Sequence, residues 1–494
     1  MRASRVRAQT KAVDAATPEN LLKFMLTGWQ ESPRKSSKAD AAVPNWAERR
    51  QRVSKEFPGE LIAIPTGERK VRANDTHYRF RPGTDFFYLT GIAAPGCILM
   101  FFPVGAKHRA VVYAQASAGK SDAAFFLDRH NGELWEGPRP GLRELQTRHG
   151  IECRSLLQLE GDLQTHRRRG RANKRALRGL CALTDTVIPR GAAVQARRDA
   201  VLAAFLSEMR LIKEPLEIRA LSRAVAATRR GFEDVIAELK TARTERELEN
   251  VFCARARLEG NDVGYAPIVA AGSHACTLHW NRNDGPLRKD DLLLLDAGIE
   301  LNSLYTADIT RTLPISGKFS NEQRAVYDIV LEAHTAAVQA VKPGNEYLDA
   351  HKAAMAVLAR GLRRLGVLNV STAHALLDEN QFYRRYSLHN VSHMLGMDVH
   401  DCGNARPQRY KYGRLAAGMV LTIEPGLYFQ PDDSTVPAQY RGIGVRIEDD
   451  VLVTPHGRRL LSADVPRDAV EVERWMRSVW SHGPARSLDS PAVG

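Results

Sequence analysis

Residues 291–317 read DLLLLDAGIELNSLYTADITRTLPISG. Four consecutive leucines run into Asp296. After an interval containing Gly298, Asp308 leads directly into Ile309 and a second apolar stretch, which describes two buried strands joined by a hairpin. A carboxylate flanked by core-type residues is costly to bury unless it is paired or bound to a cation. The same texture recurs in MVLTIEPG at 419–426 and GVRIEDDVLV at 444–453, where Glu424 follows Ile423 and Glu448 follows Ile447. LLLLDAG echoes VLTIEPG, and TADITRTLPISG echoes GVRIEDDVLVTPHG. Each half of a duplicated α/β unit would then supply one acid from a strand end and one from the strand that follows.

Helices surround these strands. Leu221, Val225, Phe232, Val235 and Ile236 predict a helix over about 215–239. Ser320 and Gln323 form a capping box for a helix that continues to Lys342-Pro343-Gly344, and another covers about 347–365. Toward the N-terminus the texture differs. ELIAIP, DFFYLTGI, CILMFFPV and AVVYA are short β-rich runs between turn signals, followed by a loop and helix over 128–148 and a helix over about 199–213 with Leu202, Phe205, Leu206, Met209 and Ile212 at helical spacing. The expected organisation is a tail or docking helix over 1–44, a mixed α/β N-terminal domain over 45–212, a second domain over 213–466 and a C-terminal tail over 467–494 that includes one helix.

The chain has 494 residues, 44% hydrophobic and 26% charged, with a formal charge of +14. This is the composition of a globular protein of two or three domains and excludes fibrous or wholly disordered classes. No apolar run approaches the ~18 residues of a membrane span, and the basic N-terminus is not followed by a signal-like apolar core, so the expected location is the cytoplasm. The densest basic run, Arg167 to Arg178, has no interleaved aromatics to stack bases and reads as a solvated surface; no nucleic-acid partner is expected. Six cysteines without a CxxC pair argue against a thiolate zinc site and for reduced thiols.

Between the two acid-bearing halves lies HNVSHMLGMDVHD, with His389, His393 and His400 in an H-x3-H-x6-H pattern, and His279 stands upstream in CTLHWNRND. A site rich in carboxylate, with little imidazole and no thiolate, suits Mn²⁺ above all, with Zn²⁺, Co²⁺ or Fe²⁺ as alternatives. Two ions about 3.5 Å apart would balance four carboxylates. The histidines left over read as proton carriers or as donors to a developing oxyanion. The residues alone therefore describe a dinuclear metal hydrolase.

DAGIELNSLYTADITRTLPISG, HNVSHMLGMDVHD, LTIEPGLYF and GIGVRIEDD, in that order, closely resemble the Xaa-Pro aminopeptidases (aminopeptidase P) of the pita-bread metallopeptidases. RRQRVSKEF followed by YRFRPGTDFFYLTGI resembles that family's creatinase-type N-terminal domain. The fold implied is α/β (α+β): a mixed α/β N-terminal domain followed by a pita-bread (creatinase/aminopeptidase) catalytic domain. The activity implied is release of the N-terminal residue from peptides with proline second. The resemblance implies that Asp308 and Glu448 bridge two divalent ions, Asp296 chelates one, and His393 with Glu424 completes the other. A bridging water or hydroxide would be the nucleophile, and Glu424 would shuttle its proton to the leaving nitrogen. His279 and His400 would bond the scissile carbonyl, and His389 would hold the proline side. Arg446 is expected to support an acidic ligand, Tyr428 to line the site, and Trp135 to face a neighbouring subunit's site in a homodimer or homotetramer. Two features depart from the common pattern. Asn390 stands where Gly usually follows the first motif histidine, and the Asp296–Asp308 interval of 12 is one residue longer than usual, so a longer hairpin turn between Gly298 and Tyr305 is expected. Prolidase, confined to dipeptides, is the nearest alternative; a ligand-binding or chaperone module that has lost catalysis is the more distant one.

Overall fold

The computed structural model describes residues 16–30, 37–169, 178–179 and 196–484. It divides into two compact units, one up to Leu202 and one from Ala203 onward. Most of the basic run at 167–178 lies outside the described residues.

In the first unit a mixed five-stranded sheet runs in the order Glu152–Ser155, Lys107–Ala114, Ile98–Val104, Ile62–Pro65, Arg178–Gly179. Its central pairings are antiparallel and its two outer ones parallel. Three of the four expected β-runs form strands. The exception is DFFYLTGI, which is the helix Thr84–Thr90 with Gly91 at its C-cap at φ 68°. Aromatic β-propensity yields here to position: Phe86 and Leu89, three apart, are buried on one face, and a left-handed glycine ends the turn. A Cβ on Gly91 would come within 2.0 Å of the Trp46 ring, so the residue is fixed by packing as well as by φ.

In the second unit two antiparallel hairpins carry the acids. Leu292–Ala297 pairs with Ile309–Pro314 and with Ile268–Ala271; Val420–Ile423 pairs with Asp449–Thr454, which pairs onward with Gly457–Leu460. Helices Pro215–Glu238 and Glu245–Glu259 pack on each other, as do Asn321–Ala340 and Asp349–Arg364. The second of these pairs starts at the expected capping box, in which the Gln323 N–H donates to Ser320 Oγ at 3.2 Å and the Ser320 N–H to Gln323 Oε1 at 2.9 Å. Such a cap is worth about 1 kcal/mol.

GVRIEDDVLV, read above as one strand, is two. Gly444–Arg446 pairs with Gly426–Tyr428, while Asp449–Thr454 belongs to the neighbouring sheet. The partner strand is interrupted at Glu424-Pro425, where proline has no N–H to continue the ladder, and Ile447-Glu448 occupies the matching gap. The long hairpin turn lies where expected, with Leu304 at φ 65° inside the 301–305 turn. Asn390 does not have a positive φ, so its backbone does not use the left-handed freedom of the usual glycine.

The expected C-terminal helix, Ala469–His482, is part of the core rather than a tail. Val472, Trp475, Met476 and Val479 are buried, and the Trp480 indole donates to the Ile236 carbonyl at 2.6 Å. At the other end, helix Ala196–Leu211 crosses from one unit into the next; Ile212, counted among its apolar positions, lies past its end and is exposed. Among the described residues all cysteines are free, and no helix is long and apolar enough to cross a membrane.

Arg210, in the last turn of that helix, and Lys213, just past its end, both reach Asp401. Arg210 Nε lies 2.9 Å from Oδ1 and Lys213 Nζ 3.2 Å from Oδ2, all three side chains being buried. Burial would raise the Asp401 carboxyl, but Lys213 and Arg210 overcome that and hold it down at about 2. Removing one member of a buried ion group strands the others. Lys213→Met is therefore expected to lower stability by about 3 kcal/mol in urea unfolding, on the scale of broken buried pairs. A change under 0.5 kcal/mol would show that the ammonium carries no such weight.

Candidate metal centre

The strand register explains why the acids converge. Asp296 sits opposite Thr310, so Asp308, two residues before Thr310, falls on the same face one diagonal step away. In the other hairpin Ile423 sits opposite Asp449, which places Glu424 and Glu448 just beyond that pair, where both strands break. The halves are tied together by the Glu448 N–H donating to the Thr310 carbonyl at 3.1 Å and the Thr312 hydroxyl to the Arg446 carbonyl at 2.9 Å. His393 arrives on a segment alongside Val420–Ile423. The Thr422 N–H donates to its carbonyl at 2.9 Å, and the Glu424 N–H donates to that of Val391 at 2.9 Å.

These residues meet in one cavity of about 530 Å³. His393 Nε2 is 3.2 Å from Asp308 Oδ2 and 3.4 Å from Glu424 Oε1. One ligand atom each from Asp308, His393 and Glu448 lie within 4.8 Å of one another. Glu448 is 1% exposed; the Thr310 hydroxyl donates to its Oε2 at 2.7 Å, and its Oε1 is buried with no hydrogen-bond partner. His393 Nδ1 lies 3.3 Å from the Met394 carbonyl, so Nε2, the nitrogen among the carboxylates, is the one that would offer a lone pair to a cation once its proton leaves.

The electrostatics point the same way. Burial first, then the neighbouring carboxylates Asp308, Glu424 and Asp296, push Glu448 well above the usual carboxyl range. Glu424 is pushed up to about 7, again by burial and then by Asp308 and Asp296 against the pull of His393. His393 is raised to about 9: burial lowers it, and the bond to Asp308 and the charge of Glu424 more than reverse that. Three buried acids and the half-buried Glu424 thus share Arg446 and one imidazole as cationic partners, and one buried Glu448 oxygen has no hydrogen-bond partner. That donor set fits divalent cations bound by Asp296, Asp308, His393, Glu424 and Glu448.

Of the other expected residues, His279, His389, His400 and Arg446 line the same cavity, and Tyr428, expected to line the site, is not among its lining residues. Arg446 Nη2 lies 2.5 Å from Asp296 Oδ2, and its Nη1 donates to the Tyr428 hydroxyl at 3.0 Å. His389 Nε2 is 2.8 Å from that hydroxyl, and burial, with Arg446 nearby, lowers the imidazole to about 4. Tyr428 is buried behind the cavity, where it joins His389 to Arg446. The His393 and His400 rings lie edge to face at 4.4 Å. Trp135, in the first unit, is 50% exposed, its indole donating to the Phe126 carbonyl at 2.6 Å.

Two residues escaped the sequence reading. The Tyr265 hydroxyl is 2.6 Å from Asp296 Oδ1 and 2.5 Å from Asp308 Oδ1; burial and these acids push its phenol well above the usual range, so it is a proton donor to the pair. It sits in the irregular stretch DVGYAP, where no periodicity marks it. Thr310 was detectable in principle, because two residues after Asp308 on one strand means the same face.

The pattern of metallopeptidase family M24 matches residues 219–455, and that of the aminopeptidase P N-terminal domain matches 46–172. Xaa-Pro aminopeptidase 1 of Streptomyces coelicolor is 47% identical over 468 residues, 93% of this chain and 92% of that protein. Xaa-Pro aminopeptidase of Escherichia coli is 32% identical over 441 residues, 87% and 96% of the two chains. Among solved structures, aminopeptidase P from E. coli with the inhibitor Pro-Leu superposes with a TM-score of 0.77 at 28% identity, covering 90% of this chain and all of the other.

Tyr265→Phe removes the shared donor without touching a carboxylate. Titration calorimetry should show Mn²⁺ affinity about 10-fold weaker with the fold retained, the low end of effects for groups that hold ligands in place. Unchanged affinity would mean that the hydroxyl does not order the two acids.

Proposed function

Since the chain belongs to metallopeptidase family M24, joined to the N-terminal domain of aminopeptidase P, we infer that it is a metal-dependent aminopeptidase releasing the N-terminal residue from peptides whose second residue is proline. The observation that carries this reading is the convergence of four carboxylates, three of them buried, and His393 on one cavity, with a Glu448 oxygen left unpartnered in its wall. The N-terminal domain fits an aminopeptidase rather than a prolidase.

Divalent ions held by Asp296, Asp308, His393, Glu424 and Glu448 would supply Lewis acidity and a water acidified to neutral pH. The residues of the chain do the rest. A prolyl nitrogen is a tertiary amide and leaves poorly until protonated, and Glu424, 3.6 Å from His389 and 3.4 Å from His393, is assigned to take a proton and hand it to that nitrogen. His279 and His400 are assigned as donors to the scissile carbonyl oxygen as charge builds there. His389, held on Tyr428 and kept neutral by burial, is assigned to the proline side of the peptide. Arg446 is assigned to hold Asp296 in place within the cavity wall.

Two ions per chain, with Mn²⁺ as the native metal, follow from a donor set of four carboxylates and one imidazole. A zinc-substituted E. coli aminopeptidase P in complex with product is among the solved neighbours, which supports zinc as an alternative occupant. A cytoplasmic homodimer or homotetramer is part of the same proposal, with the half-exposed Trp135 offered to a neighbouring subunit. So are domains over about 45–212 and 213–466, the second extended by the helix Ala469–His482.

Mass spectrometry of products tests the function. Metal-stripped protein resupplied with Mn²⁺ is expected to release a single Arg from Arg-Pro-Pro-Gly-Phe, with no release without metal or in Asp308→Ala. Cleavage of the dipeptide Ala-Pro alone would make the protein a prolidase, and no cleavage of either peptide with any divalent ion would overturn the peptidase reading.

A further inference from the structure

Glu245 is the first residue of the helix Glu245–Glu259 and is 0% exposed, yet it touches neither Arg446 nor any of the clustered acids. Both of its carboxylate oxygens are committed to a single loop. Oε1 accepts from the Ala271 N–H at 2.7 Å and lies 2.8 Å from His274 Nδ1. Oε2 accepts from the Gly285 N–H at 2.7 Å and from the Trp280 indole N–H at 2.9 Å. The backbone closes the same loop, with the Glu245 N–H donating to the Gly285 carbonyl at 3.0 Å. Inside it the His274 and Trp280 rings stack at 3.9 Å, and a Cβ on Gly285 would come within 2.3 Å of His274.

The loop from Gly272 to Gly285 is the one that carries His279. Trp280 turns inward to Glu245, and its neighbour His279 lines the cavity that Asp296, Asp308 and Glu424 also line. A buried carboxylate whose acceptor sites are filled by two backbone N–H groups and two rings is a rigid anchor, because any displacement strands a charge in an apolar setting. A side chain that must meet a developing oxyanion needs its position held to about 0.5 Å.

We propose that Glu245 is the positioning residue for His279, folding the 272–285 loop around its carboxylate so that this imidazole is held over the scissile carbonyl. The proposal rests on the peptidase reading above and deepens it. It predicts a residue remote from the metal cluster whose loss acts on the chemical step through one histidine.

Glu245→Gln is the sharpest perturbation. It preserves volume, but whichever oxygen becomes NH2 now opposes a backbone N–H, of Ala271 or of Gly285, so the loop cannot keep its present bonds. Trp280→Phe is the milder companion, removing one donor while keeping the ring on His274. Steady-state kinetics on Arg-Pro-Pro-Gly-Phe, metal content and melting temperature are measured for wild type, both variants, His279→Ala, and each variant combined with His279→Ala. His279→Ala is expected to lower kcat about 100-fold, as for loss of one oxyanion donor. Glu245→Gln is expected to lower kcat about 10- to 100-fold and Trp280→Phe less, with KM and bound metal close to wild type. In the His279→Ala background either change should add less than about 3-fold, because the group they act through is gone. Losses that multiply in that background, or loss of metal from Glu245→Gln, overturn the proposal. Absence of cleavage by the metal-loaded wild type overturns the peptidase reading and this inference together, whereas multiplying losses in an active enzyme overturn the inference alone.

Discussion

Like charges buried together are the constraint on which this molecule is built. Asp296, Asp308, Glu424 and Glu448 are brought from two hairpins into one cavity wall, where burial and neighbouring carboxylates raise the carboxyls of Asp296, Glu424 and Glu448, and a Glu448 oxygen is left without a partner. Such an arrangement is costly to fold unless protons or cations neutralise it. The surrounding architecture holds the acids against their repulsion. Strand register sets the faces, Tyr265 and Thr310 donate to the carboxylates, and Arg446 supplies the fixed positive charge behind Asp296. Arg311, 0% exposed, locks the base of the same region. It lies 2.7 Å from Asp449 Oδ1 and donates to the Glu448 carbonyl at 2.5 Å, so the backbone of Glu448 is anchored by a charge that is not part of the cavity lining.

Much of this was legible in the sequence because the second unit obeys simple rules. Continuous apolar runs ending in acids are unusual enough to be informative, and the echo between 292–317 and 420–457 corresponds to two hairpins that meet at their acidic ends. The capping box at Ser320 and the stop at Pro343 fixed one helix almost to the residue. The family resemblance supplied what spacing could not, namely which histidine stands among the acids and which stand apart from them.

What was not legible had physical causes. DFFYLTGI is aromatic-rich and looks like a strand until its contacts with Trp46 and the left-handed Gly91 are known. The break at Glu448 depends on Pro425 in a different strand, a pairing no local window contains. Tyr265 lies in an irregular loop, and its role arises only when the strands bring Asp296 and Asp308 beneath it. Glu245 reads as an ordinary first-turn acid favouring a helix N-terminus, and only the tertiary fold shows that its oxygens face a loop instead. Buried polar anchors of this kind leave no periodic trace.

The acid cluster is a cost in the metal-free protein and an asset once cations occupy it. A Glu whose carboxyl is raised in the folded state weakens folding as pH climbs above its unfolded value near 4.3, because the unfolded chain can ionise freely there. Calorimetric melting at pH 7 of wild type and Glu448→Gln, each metal-free and Mn²⁺-loaded, tests this directly. Metal-free Glu448→Gln should melt above metal-free wild type. Mn²⁺ should raise the wild type strongly, by about 2.7 kcal/mol at a hundredfold excess over Kd, and the variant little. A metal-free wild type that melts as high as the loaded protein, or above metal-free Glu448→Gln, would contradict the account.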